Sequence, residues 1–230
     1  MNNRQTLSQL QRSDTLLVGA LLTLAGGFLD AYSYTTRGGV FANAQTGNMV
    51  LFGLRLSEHR WSESTAYLIP IFAFALGVLL AEWMKSLFQH RGLLHWRQIV
   101  LAVECVMLLV IGFVPSGVWN SSVNIAISFV CALQVESFRT VHGLSYATTM
   151  CTGNLRSGTE LLFHAIQHKD KNSFTGAIKY FSIILVFIAG AVIGFVAADA
   201  IGIRSVWIPL AILLIVFFLL SLKPAKSQFQ

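Results

Sequence analysis

The chain has 230 residues, 55% of them hydrophobic and only 11% charged, where an ordinary soluble domain carries about 25% charged residues. With a mean hydropathy of +0.66, the chain has too little polar surface to cover itself in water. This argues against a soluble enzyme or a nucleic-acid-binding domain and rules out disorder, which needs low hydrophobicity and high charge; an integral membrane protein with room for about six spans of ~20 residues remains.

Residues 15–29 form the first uncharged run, ending at Asp30. Arg4 and Arg12 precede it as they would in a signal peptide, but no small-residue cleavage site follows, so an uncleaved first span is expected. Residues 38–54 also lack charge. They are broken by Gly38, Gly39, Gly47 and Gly53 and carry Asn43, Gln45, Thr46 and Asn48, which a lipid-facing helix would not choose. Extended chain over 38–45 and a short helix over 46–54 are predicted, because Thr and Asn suit a helix start. Such irregular backbone is tolerated at membrane depth only inside protein or beside a watery cavity.

Residues 64–81 are the second apolar run, and 98–114 the third, interrupted only by Gln98 and Glu104. A Pro-Ser-Gly turn at 115–117 separates it from 121–135, which leads to Glu136. A second polar segment gathers Thr148, Thr149, Thr152, Asn154 and Ser157 around Gly153. Arg156 and Glu160 follow at i,i+4 spacing and are expected to pair. Residues 180–198 and 205–222 are the last two apolar runs.

With the amino terminus inside, twelve of the sixteen Lys and Arg fall on the inner side and four outside. That bias predicts both termini in the cytoplasm. The net charge of +6 is read as loop charge meeting anionic headgroups, not as a nucleic-acid surface. Cys105, Cys131 and Cys151 suggest neither a disulfide framework nor a metal cluster. His164 and His168 have metal-compatible spacing but no third ligand nearby, so no metal and no cofactor are expected.

Thr46-Gly47-Asn48 recurs 106 residues later as Thr152-Gly153-Asn154, and Asp30 and Glu136 share that offset. Phe74-Ala75-Leu76-Gly77 resembles Phe187-Ile188-Ala189-Gly190 at an offset of 113. The expectation is an all-α integral membrane protein, a single membrane domain over 1–230, with about six transmembrane helices in two inverted three-helix repeats. The repeats cover about 15–115 and 121–222, each with a broken or re-entrant Thr-Gly-Asn segment. An odd number of spans per repeat inverts the second copy, the plan of many secondary transporters. The rival topology makes both triplet segments full spans, eight in all.

Residues 26–31, Gly-Gly-Phe-Leu-Asp-Ala, followed by Val40-Phe41-Ala42-Asn43-Ala44-Gln45-Thr46-Gly47-Asn48, resemble the YoaK-type family of bacterial membrane proteins. The stretch 146–158 around the second triplet does so too. The resemblance covers most of the chain and implies a multi-span protein of the bacterial inner membrane, with no substrate attached. An acid at the position of Glu136 is not part of that pattern.

The candidate solute site comprises Asn43, Thr46, Gly47, Asn48, Thr152, Gly153 and Asn154, with Asp30 and Glu136 handling a proton or cation. A charge inside an apolar span costs at least ~2.5–3.5 kcal/mol and usually faces the protein interior. For Asp30 the bland alternative is an interfacial helix end near Arg37; for Glu136 it is an ion pair with Arg139. No catalytic constellation stands out. The expected function is a transporter or permeation protein for a small polar or anionic solute. The alternative is a non-transporting membrane protein such as a sensor or assembly factor. The lipid bilayer is the expected partner; a homo-oligomer is compatible with either reading.

Overall fold

The structure is a computed structural model that describes residues 15–88, 96–141, 144–145 and 149–221. It is helical. In chain order the helices are α1 (Leu16–Thr36), α2 (Gln45–Ser57), α3 (Trp61–Phe88), α4 (Trp96–Ile111), α5 (Asn120–Ser137), α6 (Cys151–His168), α7 (Lys171–Ile201) and α8 (Trp207–Ser221). A two-residue antiparallel ladder, Thr140–Val141 with Leu144–Ser145, joins α5 to α6, and a 3-10 turn, Gly202–Val206, joins α7 to α8. Arg4, Arg12, Thr148 and the motif residues 146–147 lie outside the described residues.

The six apolar runs of the sequence fall largely in helices, and among the described residues three stretches are long and apolar enough to cross a membrane: Leu16–Thr36, Trp61–Leu87 and Lys171–Ser221. The last is folded back on itself at Gly202, whose φ of +58° suits glycine. α2 starts one residue earlier and ends three residues later than the predicted 46–54. At 13 residues it is only ~20 Å long.

Contacts give the helices their relative directions. α1 and α7 run parallel. Gly190 lies against the Leu24 carbonyl, a Cβ on Gly194 would stand 2.7 Å from the Phe28 carbonyl oxygen, and the Tyr32 hydroxyl donates to the Ile203 carbonyl at 3.2 Å. The small-residue ridge of α7 therefore serves close backbone packing. α3 and α5 also run parallel: a Cβ on Gly77 would lie 2.5 Å from the Phe129 carbonyl oxygen, and Ala81 packs with Leu133. α1 and α5 run antiparallel, since Gln134 Nε2 donates to the Leu22 carbonyl (3.4 Å) and Asn124 Nδ2 to the Arg37 carbonyl (2.8 Å). α4 and α8 do the same, through Gln98 with Ser221 (2.9 Å) and Trp207 with the Leu109 carbonyl (3.3 Å).

The core is gathered around α1, where Leu22, Phe28, Leu29 and Tyr32 meet residues of α4, α5 and α8. The outward faces of α3 and α7 carry large exposed apolar residues, among them Phe72, Leu79, Leu185 and Val192. An apolar exterior of that extent marks a surface made for something other than water.

Arg37, at the end of α1, is enclosed by protein. It is among the largest fully buried side chains. Its guanidinium donates to the Tyr32 hydroxyl (2.7 and 3.0 Å) and to the carbonyls of Ile111, Val114 and Pro115 at 3.0–3.3 Å. A cation thus sits at the negative end of α4, where the last carbonyls lack intrahelical partners. Glu104 is likewise buried, and neither carboxyl oxygen has a hydrogen-bond partner among the described residues. Arg156 and Glu160 do not pair: no ion pair between them occurs among the described residues. Both are exposed on α6, where such a contact gains little.

Candidate functional site

The site begins with the way residues 38–44 return from the end of α1. Gly38 and Gly39 both take positive φ, +87° and +76°, which reverses the chain without strain. The returning segment lies along α1. Asp30 Oδ1 accepts from the backbone N–H of Asn43 (2.6 Å) and of Ala44 (3.4 Å). Asn43 Nδ2 donates to the Gly26 carbonyl at 3.1 Å. The amino end of α2 therefore rests on a carboxylate supplied by α1. The two N–H groups belong to the residues just before α2, whose own first turn finds backbone acceptors (Gln45 N–H to the Asn43 carbonyl, 2.8 Å; Gly47 N–H to the Ala44 carbonyl, 2.9 Å), and the positive end of the helix dipole favours the anion.

Asn48 completes the segment from the other side. Its Oδ1 accepts from the Phe41 N–H (3.1 Å), while Nδ2 donates to the Phe41 carbonyl (2.8 Å) and to Gln45 Oε1 (3.0 Å). A Cβ on Gly47 would stand 2.9 Å from the Phe41 ring, so that position has little room for a side chain. Phe41 in turn stacks on Tyr34 with ring centroids 4.8 Å apart.

At α6 the capping position is Met150, which, like Ala44 at α2, makes no side-chain cap hydrogen bond. The amino ends of α2 and α6 face a common cavity of about 580 Å³, within the range of small-molecule sites, roughly 300–1,000 Å³. Gln45 and Thr46 line it from α2; Thr149, Cys151, Thr152 and Gly153 line it from the α6 side. Asp30 and Asn43 reach it from α1 and the return segment. The remaining wall is mostly aromatic, with Tyr34, Phe41, Phe74, Phe187 and Phe195. Thr149 is 93% buried, and its hydroxyl has no hydrogen-bond partner.

A second cavity of about 400 Å³ lies on the other side of α6's start and shares Phe74, Met150 and Gly153 with the first. Glu136, Arg139, Asn154 and Arg156 line it. Glu136 and Arg139 form an ion pair at 3.0 Å, and Glu82, paired with Lys85 at 2.9 Å, has its carboxyl within reach of Glu136.

Of the residues singled out from sequence, Asp30, Asn43, Thr46, Thr152 and Gly153 come together around the first cavity. Gly47 and Asn48 shape the return segment. Asn154 is buried on α6 and faces the second cavity, as does Glu136. Sequence reasoning singled out neither Thr149 nor these aromatics as site residues. A signal existed for two of them: Phe74 and Phe187 open the repeated Phe-x-x-Gly stretches, and both face the first cavity. His164 and His168 stack on each other at 6.0 Å on α6. No group of three metal-ligating residues occurs among the described residues.

Outside the apolar helices, the charges follow local hydrogen bonds. Asp170 caps α7, accepting from the Ser173 hydroxyl (2.6 Å) and from the N–H groups of Asn172 (2.9 Å) and Ser173 (3.0 Å). These bonds hold its carboxyl below the usual range. Glu58, after α2, is held low chiefly by its bond to Arg55.

The family described as "Protein of unknown function (DUF1275)" matches residues 18–219, from the first turn of α1 to the last turn of α8. The chain belongs to this family. It is also 26% identical over 219 residues to the UPF0700 transmembrane protein YoaK of Bacillus subtilis (strain 168), covering 91% of this chain and 95% of that protein. No solved structure matches. The similarity spans both halves of the chain, so the cavity and its two helix ends lie wholly within the shared region.

Proposed function

We propose that this chain is an inner-membrane transporter or permeation protein for a small polar or anionic solute, and that the cavity between the starts of α2 and α6 is its solute site. In this reading α1, α3, α4, α5, α7 and α8 are six full spans with both termini cytoplasmic. α2 and α6 enter part-way. The two halves, α1–α4 and α5–α8, are inverted copies.

Helix directions support the inversion. The equivalent pairs α1/α5 and α4/α8 are antiparallel, while the cross-half pairs α1/α7 and α3/α5 are parallel. α1 and α3 therefore oppose each other, which a full span between them would not permit. The connections agree: His59 between α2 and α3, and Lys169 between α6 and α7, are the non-glycine residues with positive φ among those described. In the rival topology α2 would have to cross ~30 Å of hydrocarbon with ~20 Å of helix.

The observation that carries the functional reading is the cavity itself. Two broken elements meet there, as at the binding sites of inverted-repeat transporters. Asp30 is the carboxyl at this site, and it handles the coupled proton or cation. Glu136, across the Phe74–Met150 partition, holds the corresponding position on the other side. The chain performs no chemistry on its solute.

The test is osmotic shrink–swell of proteoliposomes followed by light scattering. The panel is potassium chloride, nitrate, formate and acetate, with urea and glycerol as neutral solutes. At least one solute is expected to enter faster with protein than without, and Asp30→Asn is expected to change that rate or its pH dependence. Equal rates with and without protein across the panel overturn transport and leave a sensor or assembly role.

A further inference from the structure

The two helix starts at the cavity are chemically unequal. At α2 the place an anion would take is filled by the chain's own Asp30, whose Oδ1 accepts from Asn43 and Ala44. At α6 no carboxylate among the described residues is seen to take that place: Met150 makes no side-chain cap, and Glu136, the residue 106 positions after Asp30, is turned to Arg139 and the other cavity. The first turn of this 18-residue helix lines the cavity with N–H groups that have no intrahelical acceptor and about half a positive charge.

A second observation points to a ligand at the same place. Thr149, the residue before the capping position, lines the cavity, and its buried hydroxyl has no hydrogen-bond partner among the described residues. A buried hydroxyl left without a partner is costly, and a ligand oxygen at the α6 start would satisfy it. The opposite wall is apolar, with Phe74, Phe187 and Phe195.

We propose that the open start of α6 binds the carboxylate of a small monocarboxylate whose apolar body packs among Phe74, Phe187 and Phe195. Asp30 of α1, beside the start of α2, is the internal precedent: the same functional group near the same kind of helix end, supplied in one half by the protein and in the other by the ligand. The Asp30 charge does not exclude the ligand, because two backbone N–H groups and the positive end of α2 already face it. The carboxylate oxygens accept from the first N–H groups of α6 and from the Thr149 hydroxyl. This assignment names the solute class of the transport reading and rests on it for its physiological sense, but binding is measured separately from flux.

The probe is benzoate, titrated calorimetrically into the full chain in nanodiscs, with benzamide as the neutral isostere and empty nanodiscs subtracted. Saturable benzoate binding at least tenfold tighter than benzamide is expected. Thr149→Val, which removes an unpartnered hydroxyl and so does not weaken the fold, is expected to weaken benzoate about tenfold and leave benzamide within about twofold. Met150→Asp installs at α6 the acid that α2 already has and is expected to abolish benzoate binding while circular dichroism and elution volume stay unchanged. Equal binding of benzoate and benzamide, no saturable benzoate binding, or wild-type benzoate affinity in both variants overturns the assignment. Flux of other solutes without benzoate binding would sink this assignment and spare transport; benzoate binding without any flux would do the reverse.

Discussion

In the first half of the chain, the acid near the end of α1 reaches the start of the short helix that follows. In the second half, the acid at the equivalent point of α5 turns away and meets arginine. Each half presses a glycine, Gly77 or Gly190, against a backbone carbonyl of the helix it crosses. The two acids differ in side-chain chemistry. Asp30 has a short arm and a chain returning over it; Glu136 is longer, and Arg139 stands one turn on. Under the proposed inverted repeat, the two helix starts would differ chiefly in whether an acid of the preceding helix reaches them.

The sharpest way to break this comparison is to ask whether the halves are inverted at all. In a chain without native cysteines, His59→Cys and Lys169→Cys sit at equivalent connections. Membrane-impermeant maleimide is expected to label the first from outside and to miss the second until the membrane is opened. Labelling of both from one side would make the halves parallel.

Next in size is the loss of the acid itself. Asp30→Ala leaves two buried N–H groups without an acceptor and is expected to lower unfolding stability by about 2–4 kcal/mol. Glu136→Gln, which loosens an ion pair whose arginine is largely exposed, is expected to cost about 0–1 kcal/mol. Thermal unfolding in detergent measures both; equal losses would erase the distinction between the copies.

The glycine pair should behave in the opposite manner, with both copies suffering alike. Gly77→Val and Gly190→Val each force a side chain into a backbone carbonyl, and each is expected to cost about 1–3 kcal/mol or to prevent assembly. The same melting measurement checks that the frame is shared even where the acids differ.

The smallest effect concerns Asp170, an exposed carboxylate cap on α7. Its folded pKa is depressed, so its contribution is present above the unfolded value of about 3.9. The contribution fades as pH falls through the lower folded value. The melting difference between the wild type and Asp170→Asn is therefore expected at pH 6 and to vanish near pH 2. A difference that persists unchanged at pH 2 would mean the cap is not electrostatic.

Asp30 and the two triplets were legible in the sequence because a charge or amide inside an apolar run has few inexpensive places to be. The repeat spacing then linked the two segments that share the cavity. What could not be read was direction. Asn48 looked like a solute ligand, yet its amide is spent on Phe41, seven residues back, because the return of residues 38–44 depends on two positive-φ glycines. Thr149 was one of several threonines close together, and the fold, not the sequence, shows that its hydroxyl is buried. The burial of Arg37 could not be read because its acceptors, 74 to 78 residues further on, are carbonyls that no sequence pattern advertises.

Those distant acceptors constrain how the protein can be made. When α1 leaves the ribosome, the groups that will hold Arg37 have not been synthesised. The guanidinium must wait in water or among headgroups until the chain through Pro115 has emerged. The first segment to be inserted is thus completed only after the fourth helix arrives. A nascent chain stalled before that point would carry a hydrated arginine at the end of α1, detectable as a site that a guanidine-reactive reagent modifies early in translation and no longer reaches once α4 is in place.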